Sequence, residues 1–144
     1  MRPKDIGTRG ETAVTRYLRD NGFPGADRQP LRGRADTGDI DVTAGIIAEV
    51  KAGAAAATAS NNRIRMWMYE TDRERRQAEA DIGILVVRQR GRGPSQWHVW
   101  TTVRQLGILQ GAISEYEEPD ATTPVMLLLS DWCDLARINW GDDA

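Results

Sequence analysis

The chain has 144 residues, 40% apolar and 28% charged, a balance that argues against disorder and allows a buried core. No run approaches 18 uninterrupted apolar residues, which excludes a membrane-spanning helix, and the single cysteine, Cys133, excludes an internal disulfide. The net charge of −2 conceals an asymmetry: residues 1–104 carry 18 of the 19 basic residues against 13 acids, whereas 105–144 carry Arg137 alone against eight acids. A basic body with an acidic tail suits a phosphate-bearing partner for the body. The opening "MRPKDIGTRG" lacks the apolar core of a signal peptide, so the expected compartment is the cytoplasm.

Residues 5–21 read as a helix, with Val14, Tyr17 and Leu18 at helical spacing and Asn21-Gly22 as its stop. Residues 23–37 read as a loop with arginines at 28, 32 and 34. "GDIDVT" (38–43) and "IIAEVK" (46–51) read as strands joined around Ala44-Gly45. "AGAAAATAS" (52–60) reads equally as loop or helix. A second helix is expected over 62–80, with Ile64, Trp67, Met68 and Thr71 on one face. "DIGILVVRQ" reads as a buried strand, "RGRGPSQ" as a basic turn and "QWHVWTT" as an antiparallel return. A short helix over 102–110, a strand at "PVMLLLS" and a closing helix capped by Ser130 complete an α/β chain: a small mixed sheet flanked by helices.

The first hairpin carries the chemistry. Residues two apart in a strand share a face, so Glu49 points with Lys51, and Asp39 with Asp41. A three-residue turn at Thr43-Ala44-Gly45, with Gly45 left-handed, sets Asp39 directly opposite Glu49, roughly 5 Å away at Cβ. Carboxylates that close repel unless a cation lies between them, and Mg²⁺, which takes one or two carboxylates plus water and phosphate, fits. Lysine is rare here: only Lys4 and Lys51 among 19 basic residues. Beside Glu49, a compact ammonium can orient an attacking water or stabilise charge on a phosphate where arginine's planar fork fits poorly. Glu11, Val14 and Leu18 lie at i, i+3 and i+7, so Glu11 heads the apolar stripe of the first helix. The competing reading makes Thr8 to Glu11 a capping box.

Gly7-x-x-x-Glu11 on a first helix, followed by Asp39-x(9)-Glu49-x-Lys51 on a hairpin, resembles the PD-(D/E)XK nuclease superfamily. Within it, "RGETAV" and "YLRDNGF" look like the archaeal-type Holliday junction resolvases and their relatives in actinobacterial phages; the likeness covers about residues 6–100. The resemblance implies a restriction-endonuclease-like core (αβββαβ) and a homodimer, while the length predicts a single nuclease domain over 1–144 with an acidic extension from 105. It also implies Mg²⁺, with Mn²⁺ as a substitute, held by Asp39, Glu49 and the Val50 carbonyl with help from Glu11. Where the family has proline before its first acid this chain has Gly38, and Asp41 stands as a competing ligand. The implied activity is metal-assisted phosphodiester hydrolysis of branched DNA, four-way junctions above all, with no membrane involvement.

Arg9, Arg28, Arg32 and Arg34 surround the first helix and the loop feeding Asp39, and are candidate phosphate contacts. Arg63 and Arg65, and Arg88, Arg90 and Arg92, extend that footprint. Arg73, Arg75 and Arg76 alternate with Glu70, Asp72 and Glu74 and read as a salt-bridged exposed face, with Glu70 also near enough in spacing to approach the pocket. Trp67 and Met68 read as core or interface, and His98 and Cys133 as structural. A general or repair endonuclease of the same fold, and a non-catalytic DNA-binding module, are the rival readings. A carboxylate-pair glycosidase would leave Lys51 and the arginines without a purpose.

Overall fold

The computed structural model describes residues 3–29, 38–112 and 122–142. The helices are α1 (Pro3–Asp20), α2 (Asn61–Gln77), α3 (Val103–Leu109) and α4 (Leu129–Trp140). The strands are β1 (Asp27–Arg28), β2 (Ile40–Thr43), β3 (Ile46–Lys51), β4 (Ile82–Val87), β5 (His98–Thr102) and β6 (Pro124–Leu128). Among the described residues the strands make one mixed sheet in the order β1-β2-β3-β4-β5-β6. Only β3 and β4 pair in parallel, and α2 supplies the crossover that a parallel pair requires.

Strand alternation sorts the side chains into two layers. Ile40, Val42, Ile46, Ala48, Val50, Ile82, Ile84, Val86 and Val99 face one core with Val14 and Leu18 of α1 and Leu129, Trp132 and Cys133 of α4. Leu85 and Val87 face the other way, against Ile64, Trp67 and Met68 of α2. β4 is covered on both sides, which is why its six residues are all buried and apolar or glycine. β3 is also covered on both sides, yet on its α2 side it carries Glu49 and Lys51.

Several expectations change. Thr8 lies inside α1, so Thr8 and Glu11 form no capping box. β1, two residues long, sits within the stretch read as loop and pairs Arg28 with Ile40. Ile40 and Ala48, and Asp41 and Ile47, hold the expected register, but Thr43 pairs with Ile46 after an irregularity between Asp41 and Thr43. The turn is therefore the two residues Ala44-Gly45, with Gly45 at φ +88°. Ser130 lies within α4, whose N-terminus at Leu128 has no side-chain cap; Asp131 supplies negative charge in the first turn instead. The undecided stretch holds a short 3-10 turn at Ala56–Thr58. The acidic segment's β6 and α4 are part of the sheet and the first core. Among the described residues no helix is long and apolar enough to cross a membrane.

Candidate active site

α1 and the end of β3 touch without room for a side chain between them: a Cβ on Gly10 would collide with the Cβ of Ala52. That approach sets Glu11, the next residue, over the start of the β2–β3 hairpin. Gly7, the glycine of the sequence motif, has open space around it instead. At the entry to β2, Gly38 has φ +96°, which proline's ring cannot reach, so glycine here answers to the backbone. Asp39 follows. Its amide donates to the Ala48 carbonyl at 3.0 Å, and its Oδ2 accepts from the Val50 amide at 2.8 Å. The hairpin thus fixes Asp39 across from Glu49 at both backbone and side chain.

Glu49 is 6% exposed. Its Oε1 lies 3.9 Å from Lys51 Nζ, while Oε2 has no hydrogen-bond partner among the described residues. The carboxyls of Glu74 and Asp39 are its neighbours, and burial first, then these acids, pushes its pKa far up. Lys51 Nζ lies 3.4 Å from Glu70 Oε2 and 5.7 Å from the centre of the Trp67 ring. Glu11 Oε2 accepts from Arg28 Nε at 3.2 Å and Nη2 at 3.1 Å. Burial and the nearby Asp39 raise the Glu11 pKa, with Arg28 opposing them. Glu11, Asp39, Glu49 and Lys51 therefore converge, although they come from three separate elements.

Other residues fall differently. Asp41 is turned to β1, accepting from the Gln29 side chain and facing Asp27, so it is not a competing partner of Glu49. Arg9, Arg63 and Arg65 are exposed, Arg63 over the outer part of Trp67 at 5.9 Å. Arg65 lines a cavity of ≈ 580 Å³ with Tyr69, Trp100 and Arg104, which contains none of the converging acids. Arg32 and Arg34 lie outside the described residues. Arg88, Arg90 and Arg92 are exposed around the turn after β4, and the Arg88 amide donates to the Lys51 carbonyl. Trp67 and Met68 pack on the second core, and burial holds the Cys133 thiol up at about 12, in keeping with a structural residue.

The helix read as a salt-bridged exposed face is only partly one. Asp72 does bridge Arg75 and Arg76 at 3.0 and 2.7 Å. Glu70, however, turns to Lys51, and Glu74 is buried at 4% exposure against Glu49. Glu74 is the residue that sequence reasoning missed. The available signal was the stripe Ile64, Trp67, Thr71, which Glu74 continues at the next helical step.

A divalent cation fits the donor set. Asp39 and Glu49 offer hard oxygens from opposed strands, and Glu49 Oε2 is a buried acceptor with nothing to accept. Among the described residues no three His, Cys, Asp or Glu side chains are closed into a ready-made metal cluster. Magnesium, which keeps several waters and uses one or two carboxylates, does not require one. No family model, curated protein or solved structure matches this chain.

Proposed function

We propose that this chain is a Mg²⁺-dependent, structure-selective DNA endonuclease of the PD-(D/E)XK type, acting as a homodimer on branched DNA such as four-way junctions. One observation carries the reading: Asp39, Glu49 and Lys51 meet at the edge of α2 with Glu11 brought in from α1. The order α1-β1-β2-β3-α2-β4, with β3 and β4 parallel, supports a restriction-endonuclease-like core.

A bound Mg²⁺ supplies polarisation of the scissile phosphate and a lowered pKa for the attacking water. Asp39, held by the Val50 amide, and Glu49, with its free Oε2, are the carboxylates that would hold the ion; the Val50 carbonyl and Glu11 complete the proposed set. Lys51 reaches the same pocket as a compact cation and is placed to orient the nucleophile or neutralise charge gathering on the phosphate. Arg28 offsets the charge of Glu11. Arg9, Arg63 and Arg65, all exposed, are the proposed phosphate contacts, which hold register without reading sequence.

The test is cleavage in Mg²⁺ of a labelled four-way junction beside linear duplex, single strand and a flap, by wild type and Lys51→Ala. Paired nicks confined to the junction and lost in the variant are expected. Equal cutting of every duplex makes the chain a general endonuclease. Binding without cutting by either protein, in Mn²⁺ as well, makes it a binding module.

A further inference from the structure

α2 runs antiparallel to β3, and the two elements match in step. Four residues of helix advance about 6 Å, and two residues of strand advance about 6.7 Å. Glu70 therefore meets Lys51, and one turn later Glu74 meets Glu49. The second meeting is unusual because both partners are acids more than nine-tenths buried, at 4% and 6% exposure. Of the two arginines that flank Glu74 in sequence, Arg75 is committed to Asp72 at 3.0 Å and to the Ala80 carbonyl at 3.1 Å. Lys51 lies toward the other oxygen of Glu49, and among the described residues Glu49 Oε2 is buried with no hydrogen-bond partner.

We infer that Glu74 is a positioning residue of the cation site, holding the Glu49 carboxyl in the orientation that presents it, together with Asp39, to a divalent ion. The inference rests on the nuclease reading and adds a residue to it. Ligating carboxylates are commonly oriented by a hydrogen-bonded partner behind them, and loss of such a partner weakens metal binding by roughly 10–100-fold. Among the described residues Glu49's neighbours across β4 and along β3 are Leu85, Ile47 and Lys51, and Asp39 stands on its β2 side.

The experiment is calorimetric titration of the EDTA-stripped full chain with Mn²⁺, on wild type, Glu74→Ala and Glu74→Gln, with thermal melts of each. A carboxamide can donate to Glu49 in the same space, so Glu74→Gln is expected to keep close to wild-type affinity. Glu74→Ala is expected to bind roughly 10–100-fold more weakly. If Glu74→Ala does not fold, Glu74→Met, of similar volume but unable to hydrogen-bond strongly, carries the same expectation. Wild-type affinity in Glu74→Ala or Glu74→Met overturns the inference, as does a Glu74→Gln variant as weak as the alanine, which would make the residue's charge the operative property. A wild type that binds Mn²⁺ and cuts DNA while the variants match it sinks this inference alone. A wild type that neither binds nor cuts sinks the nuclease reading with it.

Discussion

Lys51 Nζ is closer to Glu70 Oε2, at 3.4 Å, than to Glu49 Oε1, at 3.9 Å. The lysine is thus held by the helix across from its strand as well as by its strand neighbour. Glu70 and Lys51 are 39% and 28% exposed, so water screens the pair and its worth to stability is about 1 kcal/mol or less. Glu70→Gln should leave the melting temperature nearly unmoved. Its expected effect is on the orientation of Lys51: a single-turnover cleavage rate lowered by about fivefold at most, the factor to which 1 kcal/mol corresponds. A loss as great as that of Lys51→Ala would instead place Glu70 in direct contact with the reacting groups.

Burial above all, then the Glu74 and Asp39 carboxyls, holds the Glu49 pKa well above its ordinary value near 4.5. A carboxyl raised by folding keeps its proton in the native state after the unfolded chain has lost it. Its contribution to stability is complete below about pH 4.5 and declines as pH rises from there toward the folded pKa. The metal-free wild type should lose stability relative to Glu49→Gln between pH 5 and pH 8. Mn²⁺ should restore it at the alkaline end, since a cation replaces the proton. Thermal melts across that range, with EDTA or Mn²⁺, check this; parallel curves for the two proteins would contradict it.

The pairing of Asp39 with Glu49 and Lys51 was legible because strand alternation is a matter of covalent geometry, and two strands with one short turn leave few registers. The turn itself was one residue shorter than expected, but the irregularity near Val42 absorbed the difference before it reached Asp39. Glu11 was legible for a related reason, as the head of an apolar helical stripe. Glu74 was not. "YETDRERRQ" has the alternating charges of a solvated helix face, and which of its acids turns inward depends on how α2 is rotated over β3. That rotation is set by Ile64, Trp67 and Thr71 packing on the sheet, a tertiary fact. β1 was invisible because two residues are too few to show a period, and with it went the ion pair between Arg28 and Glu11.

The two glycines of α1 should respond oppositely to alanine. In an open helical position alanine gains about 1 kcal/mol over glycine, so Gly7→Ala, with nothing near its new methyl, should raise the melting temperature by roughly 2–4 °C. At Gly10 the same gain is overridden by collision with the Ala52 methyl, which is fixed to the β3 end and cannot rotate away. Overpacking of this kind costs about 1–3 kcal/mol. Gly10→Ala should lower the melting temperature and, by pushing α1 off the hairpin, reduce cleavage through Glu11. Two variants with the same change in melting temperature would show that the Gly10 contact gives way easily.

Arg28 and Arg9 should separate in their dependence on salt. Arg28 is ion-paired with Glu11 through two N–H groups, so most of its charge is already offset inside the protein. Arg9, two residues before Glu11 on α1, is exposed. Each phosphate neutralised contributes about 0.9 to the slope of log affinity against log salt, or about 0.7 on single strands. For binding to a four-way junction in Ca²⁺, chosen to hold DNA without cutting, Arg9→Ala should reduce that slope by nearly one unit. Arg28→Ala should barely change the slope but should weaken cleavage, because Glu11 loses the group that steadies it beside Asp39. A full unit of slope lost in Arg28→Ala would mean that the guanidinium leaves Glu11 for a phosphate when DNA arrives, making the ion pair a resting state of the DNA contact.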